Sequence, residues 1–198
     1  MWIFQVAAFT VATITYKKHK NTKQKYFIYF LGFVLVVELL GYLIPQLFKI
    51  KNQFIYNIFT IVSFSFYLYW FNLILKRKRL INIGYILFAI SIFFSIFFED
   101  FFKDLWKISL TTGTVLVLFF SVFFYYDLLK RNEVFYYQKS QNFWIVTGLL
   151  IFYIAFLPIQ LLQPYLDVKS INYRIIITIL NIILYGIFTI SFLCTKKR

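Results

Sequence analysis

The chain has 198 residues, is 62% hydrophobic with a mean hydropathy of +0.77, and carries a formal net charge of +14. A soluble domain averages about 45–50% apolar residues and at this length could bury one core, but it could not also hide seven apolar stretches, so lipid is the expected solvent. The charge does not point to nucleic acid: the 21 Lys and Arg lie in short connectors between lipid-length apolar runs rather than across one face.

Seven spans are predicted in one domain, at 1–16, 27–48, 54–75, 81–98, 105–126, 143–163 and 175–194. Most approach the roughly 20 residues that cross a ~30 Å hydrocarbon core, while the first and fourth are short. The first does not read as a secretory signal, because Lys17, Lys18, Lys20, Lys23 and Lys25 follow its apolar run instead of preceding it. Connectors 17–26, 76–80 and 127–142 and the tail 195–198 hold 15 basic residues, against 6 in the alternate connectors. The positive-inside rule then sets the N-terminus outside and the C-terminus in the cytoplasm, and the last six spans keep that direction whether or not the first crosses. Tyr26, Tyr67, Tyr69, Trp70, Tyr125, Tyr126 and Trp144 fall near the inner boundary and Trp106, Tyr165 and Tyr173 near the outer one, as expected of interfacial anchors.

Glu38, near the centre of the second span, is the one acid well inside the apolar runs. An acid at mid-membrane costs ~2.5–3.5 kcal/mol on translocon scales. No Lys or Arg lies at that depth, so the carboxyl must be protonated, hydrated or held by neutral donors. Glu38, Gly41, Tyr42 and Pro45 recur at helical spacing and share a face, and Pro45 frees a backbone carbonyl about two turns beyond Glu38. The third span carries Asn57, Thr60, Ser63 and Tyr67; the seventh carries Thr178, Asn181, Tyr185 and Thr189. By depth, Ser63, Asn181 and Tyr185 are the expected hydrogen-bond partners of Glu38, and Tyr42 and Asn57 complete the candidate set for ligand or proton handling. Equally, such Ser, Thr and Asn residues bind helices together, at about 0.6 kcal/mol per contact. Ser109, Thr111, Thr112, Gly113 and Thr114 read as a packing segment. Connector 127–142 is the longest, and its Lys130, Arg131, Tyr136 and Tyr137 are the expected cytoplasmic contact.

Catalytic motifs are missing, and no metal site is expected, since His19 and Cys194 are the single histidine and cysteine. Nothing in the sequence calls for a cofactor.

Landmarks repeat between the first three spans and the last three. Trp2 and Thr10–Val11 match Trp106 and Thr114–Val115, and Pro45–Gln46 is echoed by Pro158 and Gln160, with helix kinks expected at both prolines. This 3+1+3 order with Pro45–Gln46 resembles the SWEET and PQ-loop transporters, a resemblance that implies a parallel repeat with a mid-membrane site. Rhodopsin-type photoreceptors share the helix count, but they hold retinal through a lysine in the last helix, and 175–194 contains none. The stretches Tyr56-Asn57-Ile58-Phe59-Thr60, Ile154-Ala155-Phe156-Leu157-Pro158 and Asn181-Ile182-Ile183-Leu184-Tyr185-Gly186 resemble a group of small uncharacterised bacterial seven-helix proteins. That resemblance implies a multi-pass protein of the bacterial inner membrane and no particular activity. The expected fold is therefore an all-α integral membrane seven-transmembrane-helix bundle. The expected function is non-catalytic: a receptor-like sensor, accessory subunit or membrane effector, as in stress or phage defence, acting through a cytoplasmic protein partner. The alternative is a small-solute or proton-coupled transporter with its site at Glu38, or a homo-oligomeric pore.

Overall fold

The computed structural model describes residues 2–19, 23, 25–130, 140–166 and 170–194, and helix is the only regular structure among them. The elements are α1 (Trp2–Ile14), α2 (Tyr16–His19), α3 (Lys25–Phe48), α4 (Gln53–Ile74), α5 (Lys78–Phe98), α6 (Lys107–Leu129), α7 (Gln141–Leu161) and α8 (Ile171–Leu193), with a 3-10 turn at Gln163–Tyr165. Helices α3 to α8 are each long and apolar enough to cross a membrane. Their 21 to 24 residues extend roughly 31–36 Å.

The first expected span differs. Its helix has 13 residues, roughly 20 Å of length, which is short of a ~30 Å core. Helix α1 stops where the Thr15 hydroxyl turns back to the carbonyls of Val11 (2.8 Å) and Ala12 (3.2 Å), just before the lysine run. The fourth expected span is longer than its apolar run. Lys78 and Arg79 join the first turn of α5, as long basic side chains do when their heads reach the interface.

Spatial contacts divide the chain into two compact units, Met1–Leu31 with Leu118–Arg198, and Gly32–Val117. These do not follow the halves that a 3+1+3 repeat would give. In the first unit, α7 and α1 both pack on α8. Helix α1 turns Gln5, Ala8 and Ala12 inward, and the two alanines allow close approach. On α7, a Cβ at Gly148 would stand only 3.2 and 3.3 Å from Ile187 and Phe188 of α8. The Phe27 ring meets Phe188 edge-on at 4.9 Å.

In the second unit, α4 packs on α5. The Phe64 ring lies directly on Gly113, so closely that any Cβ there would overlap it. The packing role expected of the Ser109–Thr114 segment is thus seen at its glycine. Ser95 and Ser109, both fully buried, join α5 to α6 through a 2.8 Å hydroxyl–hydroxyl bond. Glu99 accepts from the backbone N–H groups of Lys107 (2.8 Å) and Ile108 (3.3 Å), holding the first turn of α6.

The anchoring expectation needs correction for three rings. Trp70, Tyr67 and Trp106 are buried, whereas headgroup contact requires an exposed ring. Tyr165, Tyr26, Tyr69 and Tyr126 do remain exposed.

Candidate functional site

The site is built from the proline in α3. Pro45 has no N–H, so the carbonyl four residues earlier, that of Gly41, loses its helical donor. The Asn52 side-chain amide supplies the replacement, donating to the Gly41 oxygen at 2.9 Å. Asn52 stands at the N-terminus of α4 yet its side chain does not cap that helix, because it is turned to Gly41 instead. The chain reverses through Lys49, the only non-glycine residue with positive φ (55°) among the described residues, whose N–H donates to the Pro45 carbonyl at 3.1 Å.

This fold-back decides the register of α3 against α4. Gly41 lies about two turns before the end of α3, so α4 starts roughly 10 Å back along its partner. Tyr56 is thereby brought against Gly41, its hydroxyl 2.8 Å from the position a Cβ would take. Glu38 lies one turn before Gly41 on the same helix. The freed carbonyl therefore lies within one turn of Glu38, not two turns beyond it as the sequence reading had it, because the carbonyl orphaned by a proline is the one four residues before the ring. Glu38 is half-buried at the margin of the inward face of α3, and Tyr42, one turn on, is half exposed.

The other expected site residues have different surroundings. Asn57 is fully buried, and its amide is committed to the α5–α6 connector. Its Nδ2 donates to the carbonyls of Phe101 and Asp104, both at 2.9 Å, and its Oδ1 accepts from the Trp106 N–H at 2.9 Å. Ser63 is buried with its hydroxyl unpartnered. Asn181 and Tyr185 belong to the other unit: the Asn181 amide bonds the Ile177 carbonyl of its own helix at 2.8 Å, and the buried Tyr185 ring meets Phe188 edge-on. Pro45 and Pro158 both sit inside helices that continue past them. The Lys130 ammonium lies 4.4 Å over the Tyr126 ring; Arg131, Tyr136 and Tyr137 lie outside the described residues.

Asn52 and Tyr56 were not among the candidate site residues read from the sequence. Matching residues by depth on either side of the connector pairs Glu38 with Ser63, which assumes that α4 begins level with the end of α3. The available signal was Pro45 itself: an orphaned carbonyl at Gly41 with an asparagine in the next connector.

Outside the helices, Asp100 organises the α5–α6 connector by accepting from the N–H groups of Phe102 (2.9 Å) and Lys103 (3.2 Å). The Phe102 hydrogen bond, opposed by desolvation and aided by Lys103, holds the Asp100 carboxyl below the ordinary aspartate value.

Comparison with the profiles of known protein families, with curated proteins and with solved structures finds no match.

Proposed function

We propose that this chain is a non-catalytic multi-pass module of the bacterial inner membrane, with its lysine-rich edges in the cytoplasm. It acts as a receptor-like sensor or accessory subunit, with Glu38 as its mid-membrane input and a cytoplasmic protein as its output. One observation supports this above the transport reading: the polar stripes of α4 and α8 are in good part bonded to backbone already. Thr60, Asn181, Thr189, Ser91 and Ser191 each bond a carbonyl of their own helix, and Asn57 is spent on the α5–α6 connector. A translocation path needs several polar groups free to exchange partners with a solute, whereas a sensor needs only one responsive group.

The cytoplasmic contact is assigned to the connector that begins at Lys130 and includes Arg131, Tyr136 and Tyr137. Crosslinking in cells followed by capture in mild detergent should recover a discrete partner, and Lys130→Glu with Arg131→Glu should reduce its recovery. The second reading, a proton-coupled transporter, rests on Glu38 and the paired prolines. Proton or solute flux into liposomes that disappears in Glu38→Gln would favour it and displace the first.

A further inference from the structure

In the unit formed by Met1–Leu31 and Leu118–Arg198, the N-terminus of α7 holds hydrogen-bonding groups that the protein leaves unused. Ser140 has the extended backbone of an N-cap (φ −91°, ψ 125°), but its hydroxyl makes no cap hydrogen bond. The first-turn N–H groups therefore lack the side-chain acceptor that such a residue ordinarily supplies. No acidic side chain stands in that turn, so the positive end of a 21-residue helix is not neutralised from within. Gln141 opens the helix and is only 5% exposed, yet neither its Nε2 nor its Oε1 has a hydrogen-bond partner. The enclosed Oδ1 of Asn142, next along, has none either. Side chains tilt toward the start of the helix that carries them, so the Gln141 amide is aimed at the same end as those N–H groups. An enclosed amide without partners is costly in a native fold and points to a group that completes it. The end of α6 lies alongside: the Tyr125 ring meets Phe143 edge-on at 6.0 Å, and its hydroxyl is hydrogen-bonded to that of Thr147. The charged groups of that last turn are Asp127 and Lys130, whose ammonium lies 4.4 Å over the Tyr126 ring.

We infer that the N-terminus of α7 binds a glycerol-phosphate group. The donors set the sign of the charge. First-turn N–H groups, the helix dipole and the Gln141 Nε2 all present hydrogen or positive potential, which calls for an oxyanion, and a tetrahedral phosphate accepts several such bonds at once. The unused acceptors set the rest. Gln141 Oε1 and Asn142 Oδ1 need donors, which a phosphate diester alone lacks and the hydroxyls of a glycerol ester supply. Helices α6 and α7 are each long and apolar enough to cross a membrane, so the ends that meet here fall at headgroup level. The headgroup of phosphatidylglycerol and soluble glycerol phosphate carry the same chemistry to that level. The inference goes beyond the sensor reading, since it uses neither Glu38 nor a partner protein.

Thermal unfolding of the full chain in lipid nanodiscs tests this. Exchanging part of the phosphatidylcholine for phosphatidylglycerol should raise the unfolding midpoint, because a ligand of the folded state stabilises it. Phosphatidylmethanol, an anionic phosphate diester without headgroup hydroxyls, should raise it less. In discs of phosphatidylcholine alone, soluble glycerol phosphate is compared with dimethyl phosphate at equal ionic strength. A rise with soluble glycerol phosphate assigns the site to the soluble ester, and a rise with phosphatidylglycerol only assigns it to the lipid. Gln141→Leu should raise the half-saturating amount of the active ester roughly tenfold, the effect of one lost hydrogen bond to a charged group. Ser140→Asp places a carboxylate where the phosphate would sit. It should unfold at a higher temperature than wild type in phosphatidylcholine and gain nothing from either glycerol ester. If Gln141→Leu does not fold, Ser140→Asp carries the test. Neither glycerol ester exceeding its hydroxyl-free counterpart, or Ser140→Asp keeping the full wild-type rise, would overturn the inference.

Discussion

Asn57 and Asn181 look interchangeable in sequence: each stands on a polar stripe of an apolar helix, among Thr and Tyr at helical spacing. Their structural roles differ. Asn57 reaches out of α4 and uses three hydrogen bonds to hold a connector formed by residues more than forty positions away. Asn181 bonds the turn directly before it and holds nothing but its own helix. A polar residue in a membrane helix is thus a tertiary clasp or a local accommodation, and the decision rests on whether a backbone with unmet hydrogen bonds lies opposite it. The α5–α6 connector has such groups. A regular stretch of helix does not.

The sharpest way to break this contrast is to remove both amides. Asn57→Ala orphans two carbonyls and one N–H in a buried setting and should cost about 3 kcal/mol or more. Asn181→Ala should cost under about 1 kcal/mol, since its bond is local. Reversible unfolding in mixed micelles would compare them, and near-equal losses would remove the distinction. Glycines supply the next test. Gly113→Ala forces the Phe64 ring to move and should destabilise by about 1–3 kcal/mol. Gly186→Ala meets nothing within 4 Å and should be neutral or stabilising by up to about 1 kcal/mol. The same unfolding assay decides whether the ring contact matters.

A smaller effect is expected in the α3–α4 turn. Asn52→Ala leaves the Gly41 carbonyl without its donor and should cost about 1–2 kcal/mol. Lys49→Gly relieves the left-handed backbone and should stabilise by about 1 kcal/mol. If both are silent, the fold-back is held by something other than this bond and turn. The smallest effect belongs to Asp100. Its carboxyl titrates below the ordinary value in the folded state, so its contribution is complete above that value and fades as pH falls through the lowered one. Protection from amide exchange at Phe102 and Lys103, taken relative to the intrinsic rate at each pH, should therefore fall only in that acid window, and Asp100→Asn should abolish that fall.

Much of the fold was readable without coordinates. Spans at 27–48, 54–75 and 143–163 were observed as Lys25–Phe48, Gln53–Ile74 and Gln141–Leu161 because a lipid-length apolar run admits little besides helix. The first span was misjudged in length. Apolar residues continue to Tyr16, but α1 ends at Ile14 and a separate short helix, Tyr16–His19, follows, a local break that hydropathy does not register. The site was half legible. Glu38 stood out because a lone acid in an apolar run is costly wherever it points. Tyr56 did not, because one tyrosine among 16 carries no signal until its neighbour is known.

The order of residues by itself determined that the chain builds helices for lipid, where they begin and end to within a turn or so for α3 to α8, and that one carboxyl lies at mid-span. Each follows from composition over a short window, since an unsatisfied backbone or an unscreened charge in hydrocarbon is penalised locally. Only the tertiary structure decided which residues of α4 lie against the turn of α3 that follows that carboxyl. That depends on where α4 starts against α3, set by one hydrogen bond between Asn52 and a carbonyl that Pro45 had released. Such a bond joins residues eleven positions apart through a chain reversal, and its register is a property of the packed helices, not of any window of sequence.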